Sequence, residues 1–515
     1  MLWACLLLPR LALDVFARAQ APWRQGAARP FAVTTGGHYP RIVSADAAAA
    51  AAGIRAGMLV SAALALAPAV LLRDRDPAGE ARALAAVATW ATQFTPGVSL
   101  APPDAVLVDI GDSLRLFGGL AALRTRLQQG AAALGYAAWL AIAPTAVAAL
   151  LLARAGHADT LVRVEALPAA LAPLPLALTD ADPGIVATLA AAGITTFGAA
   201  SSLPRAGLAR RGGAPLLATL EHALGVRADP RPRFVPPQRY AGRLELPAPV
   251  DATEALAFAV QRLVVELAGW LLGRGLGVLE LALTLEHEHH LRRHLGTPGS
   301  LVRFALAAPA REVPHLLAVL RERLARVTLP GPVEAIVLES TLCAPLAGRN
   351  LGLLPGDHDR ATVPLLDRLR ARLGEDAVTR IAPCAEHRPE RAWTGAGLRP
   401  AAGNAAAPRS GKKSAPRLPR RAAADTSPSL PLPAGPRPLW LLAEPEPLGA
   451  RLAARPWVLQ DGPERIESGW WDGRDVRRDY FVAESPAGER VWIYRDGRHG
   501  FGEGDGEWFV HGLFA

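Results

Sequence analysis

Apolar positions along the first 165 residues follow two periods. Short, nearly continuous runs at 2–8, 31–33, 41–44, 106–110 and 138–143 read as buried strands, while 77–94, 120–134 and 145–155 repeat every three to four residues and read as helices. This alternation predicts an α/β layer domain over 1–165. Residues 166–235 differ: short apolar helical pieces are separated by the small-residue stretches "AAGITTFGAASSLP" and "LARRGGAPLLATLEHALG". Turns of that composition let the backbone approach a phosphate, as in helix-hairpin-helix units. They assign Gly193, Ile194, Thr195, Gly198, Arg210, Arg211 and Gly212 to DNA contact.

Over 242–345 the pattern is clearer. A strand at 242–250, a helix at 252–272, strands at 278–286 and 301–306, a helix at 311–326 and a strand at 333–342 give β-α-β-β-α-β. One four-stranded sheet with two helices on one face accommodates that order. From 346 to 435 Pro, Ala, Arg and Gly dominate, and "PRSGKKSAPRLPRRAAADTSPSLPLP" has too little apolar surface to fold. It reads as a flexible basic linker, with a short helix at 363–373. The remaining segment, 436–515, returns to short strands, and six of the twelve tryptophans lie at or beyond Trp440. An aromatic-rich β module on a tether is expected to bind a protein partner, and Trp470, Trp471, Tyr480, Trp508 and Phe514 are its candidate contacts. The fold class is therefore α+β and multidomain.

Charge adds a partner class. The formal net charge of this 515-residue chain is +9, which favours an anionic partner such as nucleic acid. Lysine occurs only at Lys412 and Lys413, so part of the arginine excess reflects composition bias rather than binding. Cys5, Cys343 and Cys384 are far apart and fit no metal spacing, which points to a reduced, cytoplasmic protein. The N-terminal "MLWACLLLPRLALDVFARAQ" has no basic lead and too short an apolar run for a bilayer span, so a buried strand followed by an amphipathic helix is expected. Other apolar stretches are broken by Arg, Asp or Pro, and no transmembrane helix or membrane partner is expected.

Two constellations invite metal chemistry. In "PPDAVLVDIGDSLRLFGG", Asp104, Asp109 and Asp112 frame an apolar strand, and carboxylates at a strand end can hold Mg²⁺. In "EHEHHLRRH", His287, His289 and His290 follow an alternating strand, so they belong at an exposed hairpin end. With Arg292 and Arg293 that end suits a DNA backbone better than a metal, and no metal or other cofactor is expected.

The order of domains, with "RIVSADAAAAAAGIRAGM", "DIGDSLRLFGG" and "AIAPTAVAALLLARAG", resembles the Y-family translesion DNA polymerases over about 1–345. The resemblance implies palm and fingers (1–165), a helix-hairpin-helix thumb (166–235) and a little finger (242–345). It also implies two-metal nucleotidyl transfer, for which the family uses an Asp on the first strand and an Asp-Glu pair on a later one. Here Leu6 stands at the first-strand position, with Leu8 two residues on, and the pair is Asp104-Ala105. The family's triphosphate-holding Tyr, Arg and Lys fall on Ala47, Ala50 and Ala146. Asp104 is then a remnant and there is no catalytic set, whereas an active but divergent polymerase would have to use Asp104, Asp109 and Asp112. Such loss, together with "GPERIESGWWDGRDVRRDYFVA", "VWIYRD" and "WFVHGLFA", resembles the ImuB group of inactive Y-family chains. That resemblance implies an adaptor in the damage-induced SOS mutasome, cytoplasmic and nucleoid-associated. Its partners would be DNA, the sliding clamp, a RecA-like subunit and an error-prone C-family polymerase. Asn350, Leu351, Leu353 and Leu354 in "RNLGLLPG" resemble a clamp-binding peptide, with Asn for the usual Gln.

Overall fold

The computed structural model describes residues 1–19, 29–157, 160–296, 299–346, 359–374, 376–396, 436–448, 457–497 and 507–514. They form two compact units, Met1–Glu375 and Asp376–Ala515.

The first unit opens with strand β1 (Trp3–Leu7) and helix α1 (Leu11–Ala17). Next come β2 (Phe31–Thr34), β3 (Ile42–Ala45), α2 (Ala47–Ala51), α3 (Val60–Leu66) and β4 (Leu71–Asp74). Their strands form a small sheet ordered β3-β2-β4 in the region expected to be fingers. The chain then makes α4 (Pro77–Ala91), β5 (Val98–Ala101), β6 (Ala105–Asp109), α5 (Leu120–Ala133), β7 (Trp139–Ala143) and α6 (Ala146–Arg154). The palm sheet is ordered β5-β6-β1-β7, every pair antiparallel. β1 is central and covered on both faces, which explains a run of apolar residues with no alternation. Leu6 and Leu8 pack with Leu84, Val87 and Leu127 of α4 and α5, while Cys5 and Leu7 pack with Leu150 and Leu151 of α6.

The thumb contains α7 (Leu167–Leu171), α8 (Pro183–Ala191), α9 (Phe197–Ser201), α10 (Arg205–Leu208) and α11 (Ala214–Ala223). Asp182 and Thr196 cap α8 and α9, accepting from Ile185 N at 3.1 Å and Ala199 N at 3.3 Å. Gly193 adopts φ +79° in the turn between them. The second expected turn is not one. Ala209–Gly213 continues the helix as a π turn between α10 and α11. One extra residue keeps Leu208, Leu216 and Leu220 buried on the same side, and a Cβ at Gly213 would lie 2.8 Å from the Leu208 carbonyl oxygen.

The little finger follows the expected order: β8 (Ala241–Val250), α12 (Thr253–Arg274), β9 (Leu276–His287), β10 (Gly299–Ala310), α14 (Val313–Leu324) and β11 (Val333–Pro345), with a short α13 (His289–Leu295) inserted before β10. The sheet order is β10-β9-β11-β8. Helix α12 is long and apolar enough by composition to cross a membrane, but most of that apolar window is buried within the protein, as in the core helix of a folded domain. It packs on its own sheet and lies so close to α4 that a Cβ at Gly269 would stand 3.0 Å from Trp90 Cα. Helix α15 (Asp359–Leu373), longer than predicted, docks on the little finger. The buried Asp367 accepts from Ala307 N at 2.7 Å and lies 3.1 Å from His315 Nε2.

The second unit contains a hairpin of β12 (Arg380–Pro383) and β13 (Trp393–Ala396), then β14 (Trp440–Pro447), β15 (Val458–Ser468), β16 (Val476–Glu484), β17 (Arg490–Asp496) and β18 (Trp508–Leu513). The last five form a sheet ordered β14-β18-β17-β16-β15. Arg437, just ahead of outer strand β14, pairs with Glu464 on the other outer strand, β15. The hairpin region, which the sequence reading placed in a linker ahead of a module starting at 436, belongs to this unit. Its Arg388 guanidinium is buried and bonds Asp472 Oδ2 at 2.8 Å, Glu386 Oε2 at 2.7 Å and the Arg474 carbonyl at 3.1 Å. The basic stretch 397–435 lies outside the described residues.

Candidate functional site

The face on which the sequence resemblance expects metal ligands is built by β1, β6 and α6. Register pairs Leu7 with Ala105 and Leu6 with Val106, and Leu8 N donates to the Asp104 carbonyl at 2.8 Å. Directly opposed residues on neighbouring strands share a face. The first-strand residue that faces Ala105 is therefore Leu7, whereas Leu6, the position expected for the first ligand, and Leu8 point into the opposite core. Leu7, Ala105 and Ala146 are 3%, 0% and 3% exposed and belong to one apolar cluster with Phe197, Leu216 and Leu220 of the thumb.

The Asp104 carboxyl is half-buried at the start of β6, and its Oδ1 is buried without a hydrogen-bond partner. Desolvation pushes its pKa up, partly offset by Arg154. Arg154 is itself bonded to Asp180 Oδ1 at 2.8 Å and to the Leu178 carbonyl at 3.0 Å. Asp109 ends the same strand and accepts from Gly111 N at 3.3 Å, bracing the turn in which Asp112 sits. Asp104 and Asp109 are separated by five strand steps of about 3.3 Å, or roughly 16 Å. Carboxylates that far apart cannot share an ion whose ligands lie at about 2.1 Å. No cluster of three candidate metal-binding side chains occurs among the described residues.

In the fingers, Asp46 caps α2 by accepting from Ala49 N at 2.7 Å. Ala47 is exposed, and the Ala50 carbonyl accepts from Arg55 at 2.6 Å. Neither position offers a side chain to a triphosphate.

The thumb brings Gly193, Ile194 and Thr195 together in the α8–α9 turn, with Ile194 partly buried and Thr195 exposed. Gly198 is instead inside α9, where its Cα packs against Ala172, and a Cβ there would stand 3.1 Å from the Ala172 carbonyl oxygen. Arg210 is exposed and bonds the Ala206 carbonyl at 3.2 Å, and the backbone of Arg211 and Gly212 lies in the π turn. Arg292 and Arg293 lie on α13, where Arg293 is exposed.

His287 is not at an exposed hairpin end. It is fully buried at the end of β9, its Nδ1 3.1 Å from the Pro332 carbonyl and its Nε2 2.8 Å from Ser300 Oγ, while His289 and His290 belong to α13. Two satisfied ring nitrogens make it a core histidine. Asn350, Leu351, Leu353 and Leu354 lie outside the described residues.

The C-terminal aromatics divide. Trp470 and Trp471 are 80% and 57% exposed, edge to face at 5.4 Å, with the Arg388 guanidinium 5.8 Å from the Trp471 ring. Tyr480 is 1% exposed, stacked 4.0 Å from Trp492 and bonded to His511 Nδ1 at 2.8 Å, so its ring cannot meet a partner. Burial drives His511 down to about 4, keeping it neutral in this stack. Trp508 packs on Phe481, and Phe514 under Arg490, both partly buried.

A family model described as the impB/mucB/samB family matches residues 18–154. Protein ImuB of Caulobacter vibrioides, in two strains, is 31% identical over 490 residues, covering 90% of this chain and 100% of the relative. Among solved structures, DinB from Sulfolobus solfataricus is 14% identical with a TM-score of 0.37, and an insertion ternary complex of Dbh DNA polymerase 15% identical with a TM-score of 0.38. Each covers 66% of this chain and 98% of its own.

Proposed function

Because the chain belongs to the ImuB family, we propose that it acts in damage-induced translesion synthesis as a non-catalytic adaptor on a Y-family polymerase fold. The observation that carries this is the palm register: Leu7, Ala105 and Ala146 form a buried apolar surface where the two-metal reaction needs oxygen ligands and a triphosphate contact. Removing one preorganised electrostatic contact costs roughly 3–4 kcal/mol of transition-state stabilisation. Several are missing together, so template-directed synthesis is left to a partner. The thumb turn at Gly193–Thr195 and the exposed arginines support DNA-backbone contact. The 347–358 stretch carries the clamp peptide, and the C-terminal unit engages a RecA-like subunit and a C-family polymerase, with Trp470 and Trp471 as anchors. The protein acts in the cytoplasm, at the nucleoid.

The test pairs primer extension with pull-down. Purified chain with Mg²⁺ or Mn²⁺ extends no primer. Leu353→Ala/Leu354→Ala loses the clamp and keeps the polymerase, each Leu removing an apolar anchor worth about 1.5–3 kcal/mol. Primer extension by the chain alone overturns the non-catalytic reading. Unchanged capture of clamp and polymerase by that variant and by a chain ending at residue 375 overturns the adaptor reading.

A further inference from the structure

We propose that the C-terminal unit holds a slot for one extended peptide strand of a protein partner, a strand alternating apolar with basic residues. This deepens the adaptor reading and rests on it.

The slot lies between the β12–β13 hairpin and the outer strand β15, with the start of β14 along it. Its volume is about 1140 Å³. Small-molecule sites occupy about 300–1,000 Å³, so a polymer segment fits better. Both walls are strand edges. Among the described residues, β15 pairs with β16 alone, and β12 and β13 pair only with each other. Among the described residues no backbone hydrogen bond joins β15 to the hairpin. Two facing edges with open N–H and C=O groups are what an added strand completes, and apolar pockets then select its alternate side chains. The lining supplies them: Ile381 is 71% exposed, Leu439 82% and Trp393 48%, with Leu441 partly buried beneath.

The charges favour a basic strand. Arg437 is held by Glu464, Arg465 by Asp479, and Glu386 by Arg388. Glu467 is exposed at the lip of the slot, and its cationic neighbour Arg465 is already bonded to Asp479 Oδ1 at 2.8 Å. An arginine or lysine on the incoming strand would meet an exposed carboxylate whose one cationic neighbour is held by another acid, whereas an acidic residue would be repelled.

The experiment is fluorescence anisotropy with the full chain and a fluorescein-labelled eight-residue peptide alternating valine with arginine or lysine. Saturable binding is expected. Ile381→Arg weakens it about tenfold, and Glu467→Lys about fivefold. Both residues are exposed, and unchanged circular-dichroism melts confirm that the variants fold. A peptide N-methylated at alternate amides loses binding, because it cannot complete the edges. Equal binding of the N-methylated peptide, or of one with glutamate in the basic positions, overturns the proposal. So does binding that requires removal of residues 397–435, which makes the slot's occupant this chain itself. Concentration-dependent dimerisation abolished by Ile381→Arg likewise overturns it in favour of a second copy. If no peptide binds while the full chain still captures the C-family polymerase, the slot fails and the adaptor reading stands.

Discussion

Leu7 and Ala105 face each other across the β1–β6 pair and are buried in one apolar cluster. Leu7→Asp would bury an unpaired carboxylate, so a loss of at least about 3 kcal/mol is expected in denaturant melts. Adding Ala105→Glu should still give no primer extension, because Ala47, Ala50 and Ala146 leave the triphosphate unheld. Asp104→Ala should leave the melting temperature unchanged or raise it, since it removes a half-buried carboxyl with one orphaned oxygen, and should leave cellular mutagenesis intact. A second buried carboxyl gives a pH test. Glu266 on α12 is 5% exposed, and desolvation drives it from 4.5 to about 7, with Arg18 opposing. Between those values the unfolded chain has released a proton that the folded chain keeps. Stability therefore falls as pH rises from about 4.5 to 7 and is level above, by up to about 3 kcal/mol. Glu266→Gln should flatten that slope and gain most in thermal melts at pH 8. The residue types at the palm were legible in the sequence, but the face was not: Leu6, Leu7 and Leu8 are chemically alike, and only strand pairing separates them.

At the scale of elements, long periodic segments were legible because one buried face dictates their pattern. The little finger's six main elements appear in the predicted order because its apolar positions serve a single sheet and its helices. β4 was missed because it is largely exposed and ends in Arg73 and Asp74, and β5 because Ser99 and the prolines after Ala101 interrupt its apolar run. The α10–α11 segment was misread because Gly212 and Gly213 suggest a turn, while Leu208, Leu216 and Leu220 hold a helix through it. Contacts between elements left no periodic trace either. The α12–α4 contact depends on Gly269 and Gly273, whose Cβ atoms would lie 2.6 Å from Trp90 Cδ1 and Thr92 Oγ1. Gly269→Val should cost about 1–3 kcal/mol by overpacking. It should also speed protease cleavage within 226–240, the stretch that leads into the little finger, with thumb sites unaffected as the control.

At the scale of the whole molecule, composition marked a boundary that tertiary contacts overrule. The basic stretch 397–435 looks like a tether between two modules, yet residues before it and after it build the same unit. Nothing in 376–396 taken alone announces this, because Arg388 finds Asp472 and the Arg474 carbonyl more than eighty residues away. Two truncations should therefore behave differently. A chain ending at residue 375 keeps every described element of the first unit and should melt as that unit does. It should also bind DNA with an affinity that falls steeply with salt, since backbone contact releases counterions. A chain ending at residue 436 retains 376–396 without the sheet that holds it. Arg388 then loses Asp472 and the Arg474 carbonyl, Glu386 loses Ser468, and Glu390 loses Arg478. Limited proteolysis read by mass spectrometry should find that hairpin cut at protease levels that spare it in the full chain. Arg388→Ala in the full chain should produce the same cut more slowly, because the Glu386–Ser468 and Glu390–Arg478 bonds remain. Equal protection of 376–396 in the chain ending at 436 would mean that the hairpin folds without the sheet, and the unit would then begin after the basic stretch.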